Sequence, residues 1–326
     1  MSTYRTLKGY NIKSIASDPA NAKEGQIWYN SSAGVLKVQP LVGAWATGGA
    51  LNAGRSVVGG YGTQTAGLCA GGADGSEEAS VTSEEYNGSS WAEGNDLNTG
   101  RSNISSIGLQ TAALGAGGHT GTAYINNSEE YNGTSWAEGN NLNTARNGVG
   151  GFGTQTAGVV AGGYGGSAPP KLKTEEYNGT SWTTVEDLPA IRGEHNGVGT
   201  LTAGLILGGT AAGPAPSMVE EALEYDGTDW AAAGNMVLKR RLLGSAGIQT
   251  AAISFGGGSI PAIVAVTENY DGTAFAAGVS LASAIQKHGS ATGGTQTSAL
   301  SFGGQPDVTQ TEEFTEAKTV KTLTDS

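Results

Sequence analysis

The sequence predicts an all-β chain, a six-bladed β-propeller with a short N-terminal β-hairpin arm. Three observations predict it. Diglycine recurs at Gly71, Gly117, Gly162, Gly208, Gly256 and Gly303, in steps of 46, 45, 46, 48 and 47 residues. An arginine stands 16 residues before it in five copies, at Arg55, Arg101, Arg146, Arg192 and Arg240. A tyrosine and a tryptophan, five residues apart, follow it in four copies, ending at Trp91, Trp136, Trp182 and Trp230. A repeat of about 40–50 residues with four short strand-like runs per copy is the mark of propeller blades.

In chain order, residues 1–41 break the repeat and form the arm. Its hairpin runs through Gln26–Tyr29, a turn at Asn30–Gly34, and Val35–Val38. Residues 42–316 form the propeller and 317–326 a C-terminal tail. In the copy from Arg146 to Trp182, the first strand covers Asn147–Phe152 and the second Ala157–Ala161, joined by the polar turn GTQT. The third covers Lys173–Tyr177, and Trp182 begins the fourth after Asn178-Gly179. Asn-Gly and Asp-Gly suit that turn because both positions tolerate positive φ. The same pair recurs at Asn87, Asn132, Asp226 and Asp271.

The spacing from diglycine to tyrosine is the one that varies, so length variation gathers in the loop between the second and third strands. In a propeller those loops share one face. Trp45 lies ten residues before Arg55, as Trp91 does before Arg101, so a fourth-type strand precedes the first complete copy. The last copy lacks a tryptophan after Phe314. Two segments can supply its outer strand and so close the ring: residues 42–49, the more economical choice, or Thr319–Leu323.

Composition narrows the function classes. A net charge of −12 opposes binding to a phosphate backbone, so nucleic acid is not an expected partner. No run of eighteen apolar residues predicts a membrane-spanning helix, and the first residues carry no apolar export core. Cys69, the single cysteine, sits in an apolar run and reads as an inert buried thiol. His119, His195 and His288 occupy unrelated repeat positions without metal-binding spacing, so neither metal nor cofactor is expected. Acidic pairs precede the tyrosines, as at Glu84-Glu85, Glu129-Glu130, Glu175-Glu176 and Glu312-Glu313. Glu224 and Glu268 stand single in the other two copies; because a glutamate recurs in every blade it reads as scaffold, one of each pair meeting the repeat arginine and the other solvated.

The variable loops are the candidate binding surface, since loops on a rigid scaffold carry most recognition. They are Ala73–Ser80, His119–Asn127, Tyr164–Lys173, Thr210–Val219 and Gly258–Ile263, with His119, Tyr124, Tyr164, Lys171 and Lys173 as candidate contacts. They read equally well as permissive positions open to neutral drift.

The ordered set of arginine, diglycine, tyrosine and tryptophan, seen in Arg101, Gly117-Gly118, Tyr131 and Trp136, resembles the Kelch repeat over roughly residues 42–314. The departures are Phe275 for tryptophan, Lys287 for arginine and Phe314 for tyrosine. The resemblance implies a propeller and leaves the partners open. Some Kelch-like propellers are copper radical oxidases, but no Tyr–Cys and histidine set can be picked out here. The arm, through Gly25, Trp28, Tyr29 and Gly34, resembles N-terminal segments of virion proteins of tailed bacteriophages, marine ones especially. That resemblance implies a non-enzymatic virion protein, tail-associated, made in the host cytoplasm and present in several copies per particle. Trp28 and Tyr29 would serve docking to other virion proteins, and the propeller face would meet a host cell-surface glycan or a neighbouring protein. The alternatives are a stand-alone bacterial Kelch-type binding module and a sugar-processing enzyme.

Overall fold

A computed structural model describes residues 12–19, 26–38, 43–74, 78–165, 172–211, 217–306, 308–316 and 321–322. They fall into two compact units, Met1–Ala44 with Glu316–Ser326, and Trp45–Thr315. Among the described residues the secondary structure is all β.

The first unit holds one sheet with the strand order Lys13–Ile15, Ile27–Asn30, Val35–Val38, Lys321–Thr322. The first pair is parallel and the other two antiparallel. Gly34, at φ +68, closes the hairpin by donating its N–H to the Asn30 carbonyl. Asp18 ties the unit together, accepting from Trp28 Nε1 (3.0 Å), Asn30 Nδ2 (2.7 Å) and Lys37 Nζ (2.9 Å). These donors, Asn30 first and Lys37 next, hold its carboxyl down at about 2.

The second unit repeats one four-stranded antiparallel sheet. In sheet one the strands are Gly59–Thr63, Ala66–Ala70, Ser83–Tyr86 and Trp91–Glu93, paired in that order. Sheets two to five repeat it over residues 105–138, 150–184, 196–232 and 244–277. Sheet six takes Gly289–Ser290, Ser298–Phe302 and Thr311–Glu316, with Gly43–Thr47 outermost. The other segment considered for that place, Thr319–Leu323, is described only at residues 321–322, which pair with Val35–Val38 instead.

The first strand of each sheet packs on that of the next, from sheet one to sheet six, and Gly289–Ser290 of sheet six packs on Gly59–Thr63 of sheet one. A circuit of backbone hydrogen bonds runs beside these strands. Asn103 donates to Val57 (2.8 Å), Gly148 to Asn103 (3.3 Å) and Glu194 to Gly148 (2.8 Å). Leu242 donates to Glu194 (2.8 Å), Lys287 to Leu242 (3.0 Å) and Val57 to Lys287 (2.7 Å), which returns the circuit to its start. All six residues have φ between +50 and +60, although only one of them is glycine. The left-handed backbone also explains why the first strand of sheet three begins at Gly150 rather than at Asn147.

Side chains join each sheet to the one before it. The turn glutamines Gln110, Gln155, Gln249 and Gln296 each donate to two carbonyls of the preceding sheet, and Gln64 of sheet one reaches Phe314 of sheet six. The tryptophans do likewise, Trp136 to Ser83 Oγ, Trp230 to Thr174 Oγ1, Trp91 to Thr311 Oγ1 and Trp45 to Thr267 Oγ1. Trp182 packs the same way, but its indole N–H has no partner because Ser128 Oγ is turned to the Asn140 carbonyl.

The glutamate pairs divide the work differently from the sequence expectation. The first glutamate of three pairs is buried on the repeat arginine, Glu84 on Arg55 (2.7 Å), Glu129 on Arg101 (2.5 Å) and Glu175 on Arg146 (2.8 Å), and the single Glu268 is buried likewise on Arg240 (2.9 Å). The second is not simply solvated. It is half-buried and accepts from the tyrosine of the following sheet, as Glu85 does from Tyr131 (2.5 Å) and Glu176 from Tyr225 (2.7 Å). Burial, then the bonded carboxylate, raises the phenols; Tyr86 and Tyr270 stand at about 12. Where sheet six carries Phe314 instead of tyrosine, sheet five carries Asn269 instead of glutamate, so donor and acceptor are lost together. Tyr131→Phe is therefore expected to cost about 1–3 kcal/mol by leaving Glu85 without its donor. Adding Glu85→Asn, which copies the sheet five pair, should recover part of that loss in a denaturant titration.

Lys287 does not replace the repeat arginine. Sheet six needs 14 residues from Gly289 to Gly303 where sheet five needs 12 from Gly244 to Gly256, so the fixed spacing of 16 points two residues too far. The Ile285 carbonyl accepts from Gly257, as the arginine carbonyls accept from the equivalent glycines. Ile285 is buried among Phe255, Leu281 and Phe314, and Glu312 turns to Gln310 and the Ala282 N–H.

Candidate functional site

The two ends of the second unit differ. At one end lie the glutamine turns and the Asn-Gly and Asp-Gly turns, where the side chains of Asn132 and its equivalents accept from the backbone N–H groups two and three residues ahead. Both chain ends of the unit are here, since Gln64 bonds Phe314 and Thr315. At the other end the six φ-positive residues form a rim, and all of them but Gly148 line a depression of about 530 Å3. One residue after each diglycine bridges back beside that rim, at Ala73, His119, Tyr164, Thr210, Gly258 and Gln305. These six differ in every sheet.

Three predicted contacts come together here. His119 and Tyr124 pair across their loop, rings edge to face at 5.1 Å, and His119 Nδ1 accepts from the Gly121 N–H (3.1 Å). Tyr164 lies over Gly148 and Gly193, where a β-carbon would meet its ring, and its hydroxyl bonds Thr210 Oγ1 (2.5 Å). Burial raises the Tyr164 phenol, with Glu194 and Tyr124 adding to the rise and Thr210 and Arg241 opposing it. Lys173 does not reach this group; its ammonium pairs with Asp187 (2.9 Å) and its carbonyl accepts from Arg146. Lys171, Gly25 and parts of three variable loops (75–77, 166–171 and 212–216) lie outside the described residues. In the first unit Trp28 is fully buried, and Tyr29 is half-buried beside it in the strand.

The sequence did not mark Asn103, Glu194 and Lys287, which also line the depression. Glu194 is paired with Arg241 at 2.6 Å. Only their distance from diglycine singles them out, and the longer turn of sheet six hides even that for Lys287.

Beneath the rim a smaller cavity, about 80 Å3, is lined by His195 and His288 at positions held elsewhere by Val58, Ile104, Val149 and Leu243. His195 Nε2 accepts from the Gly150 N–H (3.2 Å), and His288 Nδ1 bonds Ser301 Oγ (2.9 Å). Burial first, then Arg192 and Arg146, pushes His195 down to about 3; burial and Arg240 push His288 down to about 4. Both are neutral in the folded protein. The unfolded chain takes up these protons near pH 6.5 and the folded chain does not, so this stability is present above pH 6.5 and is lost as pH falls towards 3–4. The loss approaches about 1.4 kcal/mol per histidine per pH unit within that window. His288→Leu, copying Leu243, should show a smaller fall in Tm between pH 7 and pH 4.5 than the parent. An equal fall would remove the histidine as the cause.

Cys69 is buried, and desolvation raises its thiol to about 11. Among the described residues no three histidine, cysteine, aspartate or glutamate side chains cluster as metal ligands. No protein-family model matches the chain, and no curated protein is matched by it.

Proposed function

We propose that the second unit is a six-bladed Kelch-like propeller and that the chain is a non-enzymatic structural protein of a tailed-bacteriophage particle. The backbone circuit that returns to its starting residue, together with the side chains that tie each sheet to the one before, supports six blades in a ring. The observation that carries the adhesive reading is the contrast between the ends. The turn end repeats the same glutamines and Asx turns, whereas the loop end changes side chain in every sheet and gathers His119, Tyr124 and Tyr164. A scaffold needs its repeated contacts; a recognition surface needs difference.

In this reading the protein is tail-associated, as a fibre or adaptor, made in the host cytoplasm and carried in several copies. Its loop end meets the host surface or a neighbouring virion protein, and residues 1–41 hold it to the particle. Trp28 belongs to the core of its own unit, so docking falls to other residues of that segment. Several copies would turn weak single contacts into firm attachment. Gradient-purified particles labelled with antibody to this chain test the assignment. Gold at the tail supports it; particles without the chain would contradict it and favour a free binding module.

A further inference from the structure

We propose that the loop-end depression is a binding site for a neutral saccharide, one or two sugar rings in extent. The proposal rests on the adhesive reading for its biological role, but the site is argued from its own lining. A depression of about 530 Å3 lies within the range of small-ligand sites, about 300–1,000 Å3. Its rim has no backbone N–H to spare for an anionic ligand, because the six amides are spent on one another's carbonyls.

The charges of the lining cancel. Glu194 is neutralised by Arg241, and Asp74 and Lys287 are opposite in sign. No uncompensated charge calls for an ionic partner, and the acidic chain as a whole disfavours an anionic one. What is left is uncharged and polar, in Ser102, Asn103 and Gln305, beside the His119 ring, which Tyr124 backs edge to face. That pairing suits a sugar ring, whose C–H face packs on an aromatic side chain while its hydroxyls exchange hydrogen bonds with amides and hydroxyls.

The rim adds a second argument. Gly148 shows that the φ-positive position accepts glycine, which fits such a backbone without strain. Val57, Asn103, Glu194, Leu242 and Lys287 nevertheless keep side chains there, with φ between 50 and 56, and all five face the depression. A side chain retained where glycine is easier points to use of that side chain.

The test applies full-length protein to an array of neutral hexose and N-acetylhexosamine oligosaccharides, with sialylated and sulfated ones alongside, and measures Kd for each ligand found by saturation-transfer NMR. Three variants accompany it: Tyr124→Ala, Asn103→Gly, and Leu109→Thr at the turn end, which copies Thr63 of sheet one. The expected result is binding of a neutral oligosaccharide, weakened at least tenfold by the first two variants and unchanged by the third. Thermal unfolding guards the reading, since Asn103→Gly should melt no lower than the parent. Binding of charged glycans alone, no neutral ligand on the array, or affinity untouched by Tyr124→Ala and Asn103→Gly would overturn the site. Cell adsorption separates the two readings. Adsorption that survives both variants removes the site and keeps adhesion; sugar binding that needs them, without adsorption, keeps the site and removes adhesion.

Discussion

Arg101→Ala is expected to lower stability by about 3–5 kcal/mol, because it strands the Glu129 carboxylate where neither side chain of the pair has any exposure. The guanidinium also donates to the Gly117 and Asn127 carbonyls, so the change opens the junction of the second and third strands as well. Two natural departures supply controls. In sheet four, Leu223 stands where the buried glutamate would be, and Arg192 meets Glu221, whose side chain is 52% exposed, at 3.4 Å. Arg192→Ala leaves that carboxylate in water and should cost about 1–2 kcal/mol, the worth of the lost hydrogen bonds. Sheet six has Ile285 in place of the arginine. The double variant Arg101→Ile with Glu129→Leu, which joins these two solutions, should recover a large part of the single loss. Urea titrations of the four proteins decide the matter. Equal midpoints for Arg101→Ala and Arg192→Ala would show that the buried charge is not the cause.

Trp136→Ala should cost about 3–5 kcal/mol, the usual loss for emptying a large aromatic site. Trp136 is 6% exposed, tilts against Tyr131 at 5.0 Å, meets Tyr61 edge to face at 5.9 Å, and donates to Ser83 Oγ of sheet one at 3.0 Å. The damage therefore falls on the junction between two sheets as well as on one of them. Trp136→Phe should cost about 1–2 kcal/mol, since Phe275 serves in sheet five, stacked on Tyr270 at 4.6 Å. Thermal unfolding of both variants gives the comparison, and a phenylalanine variant as weak as the alanine would put the indole hydrogen bond above the packing.

The repeat was legible because its marks are local. Asn-Gly and Asp-Gly fix the turn from third to fourth strand, and alternating small and apolar residues mark Ala157–Ala161 as a strand buried on its two faces. The role of the first glutamate could be read as well, since a repeated buried carboxylate needs a repeated cation. The second glutamate could not, because its tyrosine is about 46 residues away in the next copy, and only neighbouring sheets bring the two together. Lys287 was misread for a related reason: a constant spacing of 16 holds only while the first hairpin keeps its length. The φ-positive rim was silent. Valine, glutamate, leucine and lysine carry no mark of left-handed backbone, and the asparagine and the glycine that do sit in one copy each. Of the candidate contacts, the aromatic ones could be chosen by residue type, yet their meeting at one rim depends on the loops of sheets two and three lying side by side.

The proposed adhesive role of the loop end of the second unit can be tested on whole particles. Susceptible cells saturated with purified chain before particles are added give the direct measurement, read as the fraction of infectious particles left unadsorbed. The account predicts saturable blocking by the parent protein and by Leu109→Thr, and loss of blocking with Tyr124→Ala and Asn103→Gly combined. Particles that adsorb undiminished at saturating protein would contradict it, and blocking that survives the combined variant would move the adhesive contact away from the depression.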